Sequence, residues 1–338
     1  MSTMRSLVIS EPGSARVEAV AMPTMADDAV LVKVRVVGLC ATDVELYDGT
    51  HPNIQSRRAH YPMVPGHEWT GEIVMVGCGV TGLNVGDKVT GDTFIGCGHC
   101  TDCRAGRHYI CADHVEIGVL GDAPGALADY LAVSARAVTV LPAGLEESGG
   151  ALVEPASCAL RAVRKTAVRR TDRVLIWGCG TLGTFAGLFA RDAGAAVSIV
   201  VRSATEQSFV AELGLRAVFA GDVISGEQDV VIEATGADAV IQRVTTDVCP
   251  GGRVGLIGLN GSGSAVPISD VVLRDLSVFG VLGGSAVFEE AASALARFGP
   301  STLSRLVDRT ISLESVPSAL RRSLRLDGAV APKIQVRL

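Results

Sequence analysis

RVLIWGCGTLG, residues 173–183, decides the fold. Val174, Leu175, Ile176 and Trp177 form the continuous apolar run of a strand buried on both faces. Gly178, Gly180 and Gly183 follow, and TLGTFAGLFARDAG has the pattern of a helix. GxGxxG is a weak string alone, and an ordinary Gly-rich turn is its plainer reading. Between a strand and a helix it is the fingerprint of a dinucleotide site. The glycines permit a tight turn and a close backbone approach to a pyrophosphate at the helix N-terminus. Working outward, AVSIVV, QDVVIEATG, GGRVGLIG and LSVFGVLGG read as further apolar strands, and EQSFVAELG as a helix between them. This alternation predicts an α/β domain over residues 151–285, a Rossmann doubly wound parallel sheet covered on both faces. It begins with a helix over ALVEPASCALRAVRKTAV.

The second Rossmann strand should end in an acid that binds the ribose hydroxyls. Val201-Arg202-Ser203 stands there instead. A carboxylate is missing and a cation is present where a 2′-phosphate would lie, so NADP(H) is expected in preference to NAD(H). The plainer reading leaves Arg202 as a solvated loop residue. Gly178, Gly180, Thr181, Leu182, Gly183, Arg202, Ser203 and Lys333 make up the expected cofactor-binding set.

Upstream, residues 1–150 read as β-rich, with short β-branched runs such as VLVKVRVVGLC, GEIVMVG, DKVTGD and ADYLAV broken by Gly and Pro. Within them lies GCGHCTDCRAGRHYIC, residues 96–111. Cys97, Cys100, Cys103 and Cys111 offer four soft thiolates around one point, which suits a closed tetrahedral zinc with a structural role. Unrelated buried cysteines are the alternative, and a polar Gly-rich segment is poor core material. Cys40 and the pair His67-Glu68 form a second constellation. Thiolate, imidazole and carboxylate suit zinc with one position left open. Taken alone, Gly-His-Glu is also a satisfied turn histidine. Glu154, at a helix start, is either a ligand of that metal, a partner of its water, or a first-turn acid facing the helix dipole.

Composition bounds the partners. Apolar residues make up 48% of 338 and charged residues 20%, which supports a full core in one large or two medium domains. A net charge of −6 argues against nucleic acid or an anionic membrane as partner. No apolar run reaches the ~18 residues of a membrane helix. MSTMRSLVIS lacks signal-peptide organisation, so the nine cysteines read as reduced thiols and metal ligands of a cytoplasmic protein.

The order CATD, GHEWTGEIV, GCGHCTDCRAGRHYIC, VEPASCALRAV, VLIWGCGTLG, DVVIEATG and CPGGRVGLIG resembles the zinc-containing medium-chain alcohol/polyol dehydrogenases from about residue 30 to 285. Val-Glu154-Pro is similar to the sorbitol and threonine dehydrogenase branch. The resemblance implies a GroES-like catalytic domain (residues 1–150 and 286–338) joined to the Rossmann domain. It also implies catalytic zinc on Cys40, His67 and either Glu68 or Glu154, and structural zinc on the four-cysteine knot. Two zinc ions per chain, Thr42 as the group passing the substrate proton, and a homodimer or homotetramer complete it. Two departures stand out. Glu45 occupies the place of a relay histidine, so Glu45 or His51 is expected to carry the proton onward. Phe94 stands where threonine dehydrogenases have a histidine, which lowers a threonine-like amino alcohol among the substrates. Arg57-Arg58 reads as a solvated loop or as a site for an anionic substrate group. The expected activity is hydride transfer between NAD(P)(H) and a secondary alcohol or ketone of a small polar polyol, cyclitol, aminocyclitol or sugar. A simple alcohol is the alternative substrate, and a non-catalytic zinc- and nucleotide-binding redox sensor the alternative class.

Overall fold

The computed structural model describes residues 2–121, 123–223, 225–259, 265–324 and 331–338. The chain divides into two compact units, Met1–Glu154 with Phe288–Leu338, and Pro155–Val287.

The second unit is built on six parallel strands. Their order is Arg216–Phe219, Ala196–Val201, Arg173–Trp177, Gln228–Glu233, Val248–Leu256, Ser277–Gly280. The first three strands by sequence therefore run outward from Arg173–Trp177 in one direction and the last three in the other, the 3-2-1-4-5-6 order of a Rossmann sheet. Leu175, Ile176, Val230, Val231 and Ile232 are buried, as strands covered on both faces require. Thr181–Asp192 packs its Phe185, Leu188 and Phe189 inward. The apolar run 276–284 yields only a short edge strand, Ser277–Gly280.

The first unit holds a mixed sheet of seven strands. Its path is Val307–Ser312, Lys333–Arg337, Ala29–Leu39, Glu68–Val76, Lys88–Gly91, Val138–Val140, with Tyr130–Ser134 also on Ala29–Leu39. Trp69, Ile73, Val30, Val32, Val37 and Leu127 lie in its core. Thr3–Glu11 and Ser14–Ala21 form a separate antiparallel hairpin that the sequence patterns did not announce.

Two strand registers gather distant polar residues at one end of this sheet. Ala29–Leu39 and Glu68–Val76 are antiparallel with Gly38 opposite Glu68. Cys40, just past the first strand, and His67, just before the second, are therefore neighbours although 27 residues apart (67 − 40). On the other side of Ala29–Leu39, Ile334 pairs with Leu39, which brings Lys333 to the same end.

Candidate active site

Cys40 N-caps the helix Ala41–Asp48, and its backbone N–H donates to Asp43 Oδ2 at 2.8 Å. Cys40, His67 and Glu68 present ligand atoms that all lie within 4.8 Å of one another. Their setting asks for a cation. His67 Nδ1 and Glu68 Oε2 are buried without hydrogen-bond partners. Burial pulls the imidazole down, but Cys40, Asp43 and Glu154 outweigh it and hold His67 well above its ordinary pKa. A metal dication satisfies the same field that otherwise retains a proton. Gly38 makes room for this arrangement, because a Cβ there would collide with Glu68 Oε2.

Asp43 was missed as a site residue by sequence reasoning. It is fully buried, accepts from Gly66 N–H at 3.2 Å through Oδ1, and that oxygen lies 3.9 Å from His67 Nδ1. It thus ties the helix after Cys40 to the turn before His67. The available signal was its place three residues after Cys40, where an acid in a helix's first turn reaches back to the cap N–H.

Lys333, expected among the cofactor residues, is buried at 3% exposure. Its Nζ donates to Glu68 Oε1 at 2.7 Å and to the Leu39 carbonyl at 3.0 Å. The ammonium therefore pairs with one carboxylate oxygen of Glu68, while the other, Oε2, is buried without a hydrogen-bond partner. Glu154 interacts electrostatically with His67 and Glu68. It is buried in the first turn of the helix Val153–Lys165, and Thr93 Oγ1 donates to its Oε1 at 3.4 Å. Burial, opposed by His67 and reinforced by Glu68 and Asp92, pushes its carboxyl up to about 7.

Thr42 Oγ1 lies 3.6 Å from Cys40 Sγ. Glu45 is half-buried, its Oε2 has no partner, and burial raises its pKa. His51 is buried, accepts from Asn53 N–H at 3.2 Å through Nδ1, and is lowered by burial and by His67. Among the described residues no hydrogen bond joins Thr42 to Glu45 or His51. Arg57 and Arg58 are exposed.

The four cysteines of the knot also converge within 4.8 Å. Cys97 and Cys103 sulfurs are 3.9 Å apart. Tetrahedral zinc with Zn–S of about 2.3 Å needs sulfurs about 3.8 Å apart, so the cage fits. Backbone N–H groups already point at the sulfurs: Cys100 N to Cys97 Sγ and Cys103 N to Cys100 Sγ, each at 3.4 Å. The N–H groups of His99 and Cys100 lower the Cys97 thiol to about 6. Phe94–Ile95 pairs with Val115–Glu116 to close the lobe, and His108 Nε2 contacts Asp92 Oδ2 at 2.8 Å.

In the second unit, Gly180 caps the helix Thr181–Asp192, and Gly178 adopts φ +101°. Gly183 is required by contact, since a Cβ would collide with the Gly178 carbonyl oxygen. Thr181 and Leu182 open the helix, where backbone N–H groups have no acceptor within the helix, and the strand before it, Arg173–Trp177, borders Gln228–Glu233 at the sheet's switch point. The end of Ala196–Val201, expected to lack an acid, does have a carboxylate, supplied by Glu206 from the next helix, Ala204–Glu212. Its Oε2 accepts from Arg202 N–H at 2.6 Å and its Oε1 from Arg202 Nε at 3.0 Å. Ser203 caps that helix, its Oγ accepting from Glu206 N–H at 3.2 Å.

Among the described residues no helix is long and apolar enough to cross a membrane. Residues 26–143 match the alcohol dehydrogenase GroES-like domain, and residues 181–297 the zinc-binding dehydrogenase family. The 2-dehydro-3-deoxy-L-galactonate 5-dehydrogenase of Pseudoalteromonas atlantica is 29% identical over 300 residues, 86% of each chain. The L-threonine 3-dehydrogenase of Escherichia fergusonii is 29% identical over 274 residues, 77% of this chain and 79% of that one. A Sinorhizobium meliloti 1021 protein classed as a zinc-binding dehydrogenase, solved bound to NADP, has a TM-score of 0.90 at 30% identity over 100% of both chains. With a thiolate–imidazole–carboxylate cluster, a closed thiolate cage and a dinucleotide turn in one chain, the protein belongs to the zinc-dependent medium-chain alcohol/polyol dehydrogenases, oxidoreductases that use zinc and a nicotinamide nucleotide.

Proposed function

We propose that the protein transfers hydride between NADP(H), in preference to NAD(H), and a secondary alcohol or ketone of a small polyol, cyclitol, aminocyclitol or sugar. The observation that carries this reading is the convergence of Cys40, His67 and Glu68, with His67 Nδ1 and Glu68 Oε2 buried and unpartnered. These three would hold the catalytic zinc, and Cys97, Cys100, Cys103 and Cys111 a second, structural one. The zinc supplies Lewis acidity toward the substrate oxygen, and the nicotinamide supplies or accepts the hydride.

The chain's own residues do the rest. Asp43 and Lys333 fix the imidazole and the carboxylate from behind, as outer partners of metal ligands do. Thr42, beside the cluster, takes the hydroxyl proton of the substrate. Glu45 is the next acceptor: its inward oxygen is unpartnered, and burial raises its pKa, which makes it a better proton acceptor. His51 is the less favoured carrier, because burial and His67 disfavour its charged form.

Glu154 tunes the metal site from the second layer. Glu154→Gln is expected to lower turnover at least ~10-fold, as losses behind a metal site do. If the residue only meets the helix dipole, the same change costs about 1 kcal/mol of stability or less and leaves the kinetics alone. Steady-state rates and a thermal melt on one preparation separate the two.

Cofactor preference rests on Arg202 and Ser203 at the end of Ala196–Val201, whose donors a 2′-phosphate would recruit in place of the Glu206 carboxylate that Arg202 now holds. Turnover over a panel of polyols, cyclitols, aminocyclitols, sugars and L-threonine, with each nucleotide, tests substrate and cofactor together. The expected result is a higher kcat/KM with NADP(H) and loss of that preference in Arg202→Ala. An equal or higher kcat/KM with NAD(H) removes the preference. Nucleotide binding without turnover on any substrate would favour a sensor.

A cytoplasmic homodimer or homotetramer is part of the proposal. Ser277–Gly280 is a sheet edge, and the helix before it, Ile268–Leu273, exposes Ile268, Val272 and Leu273, the last at 83%. Exposed edges with apolar neighbours are usually paired or covered.

A further inference from the structure

We propose that Glu206 is a selectivity residue of the nucleotide site: its carboxylate occupies the donors that a 2′-phosphate needs, and so restrains the preference for NADP(H) and keeps NAD(H) usable. This rests on the reading that the adenosine ribose lies at the end of Ala196–Val201.

Glu206 is bound as a small anion would be. It accepts from the Arg202 backbone N–H at 2.6 Å and from two guanidinium nitrogens, Nε at 3.0 Å and Nη2 at 2.5 Å. The Arg202 side chain is otherwise 88% exposed. The charge of Glu206 also reaches the glycine-rich turn: burial, reinforced by this carboxylate, pushes the Cys179 thiol up to about 12. The carboxylate therefore sits on the donors at the end of the second strand, with its charge felt at the turn after the first, the two places between which a ribose 2′-substituent is read. Helix capping does not explain it. Ser203 Oγ caps the Glu206 N–H, while the Glu206 side chain bypasses the cap residue for Arg202. Arg202 keeps its partner ionised despite partial burial.

Two nucleotides meet this arrangement differently. A ribose with a free 2′-hydroxyl donates to the carboxylate and leaves the Arg202 pair intact. A 2′-phosphate, carrying roughly −1.5 to −2, must displace Glu206 from Arg202 and then remain close to it. Hydrogen bonds to charged groups are each worth about 10–150-fold in affinity.

Glu206→Gln keeps the shape and removes the charge. Adenosine 2′,5′-bisphosphate and adenosine 5′-monophosphate, titrated calorimetrically into the full-length protein, read the site without turnover. The expected result is affinity for the bisphosphate at least ~10-fold higher in Glu206→Gln, with that for the monophosphate unchanged or lower, and a matching rise in the kcat/KM ratio of NADP(H) to NAD(H). Glu206→Asp, which keeps the charge, should retain the parent's discrimination. An unchanged bisphosphate-to-monophosphate ratio in Glu206→Gln overturns the proposal. If that ratio is unchanged while Arg202→Ala loses 2′-phosphate selectivity, Glu206 is dismissed and the NADP(H) preference stands. If the parent prefers NAD(H) but Glu206→Gln shifts toward NADP(H), the preference falls and the role of Glu206 stands.

Discussion

Cys40→Ala is expected to abolish measurable turnover while leaving the fold and nucleotide affinity in place. Cys40 is one of three converging ligand atoms, and it alone offers a thiolate. Its removal leaves His67 and Glu68 a two-ligand site, without the thiolate's share of the field on His67 and with no tetrahedral frame. A single preorganised group that stabilises oxygen charge is worth about 10²–10³ in kcat, and losing the metal removes more than one such group. The fold should survive. Asp43 Oδ2 still accepts the N–H of residue 40, and the strands Ala29–Leu39 and Glu68–Val76 stay registered by their own ladder. Nucleotide affinity should hold because Gly178, Gly180 and Gly183 lie in the other unit. Activity, NADPH fluorescence titration and metal analysis on the same sample check this. The expected pattern is no turnover, an unchanged titration and a fall from two zinc ions per chain to one. Turnover within ~10-fold of the parent would show that the metal, or this ligand, is not where the chemistry happens.

Cys97→Ser should act oppositely, through stability. The lobe holding the knot has little to fold around: a two-residue strand pair, Phe94–Ile95 with Val115–Glu116, and the four-residue helix Thr101–Arg104. Metal bound by such a segment contributes folding free energy directly, because no site exists in the unfolded chain. Losing a metal falls among the mechanisms that cost several kcal/mol, here about 3 or more. For a unit of about 200 residues, each kcal/mol moves the midpoint by about 2–4 °C, so a drop of about 6–12 °C is expected in a calorimetric scan. Soluble yield should fall with it, and one zinc should be lost per chain. A midpoint within about 1 °C of the parent, with two zinc ions still bound, would contradict the structural role.

The fold class was legible because its evidence is local. A strand, a glycine turn and a helix sit within 20 residues of one another from Arg173 to Asp192, and hydrophobic period distinguishes them without reference to the rest of the chain. The spacing of Cys97, Cys100, Cys103 and Cys111 is likewise local, and thiolates within one short loop can meet in few ways. Less legible was the extent of elements. LSVFGVLGG is as apolar as a long strand, yet only Ser277–Gly280 is one, because an edge strand pairs on one side and ends when its neighbour ends.

What tertiary structure decided is the company each charged side chain keeps. Sequence alone showed Glu68 beside His67. The register of Gly38 against Glu68, and of Ile334 against Leu39, turns one carboxylate oxygen to Lys333 and leaves the other buried and unpartnered beside Cys40 and His67 in the cluster. Lys333 and Glu68 are 265 residues apart, and no periodicity or motif encodes a contact at that distance. Asp43 reads locally as a helix-start acid, and only burial makes it the link between Cys40 and the turn before His67. At the nucleotide turn the sequence showed a strand ending in Arg202-Ser203 without an acid. The first turn of the following helix returns Glu206 to that place, a contact only four residues long that the sequence itself carried and its reading passed over. Sequence determines which elements form and which donor types are available; strand register and burial determine which donors meet, since both depend on residues the local pattern never touches.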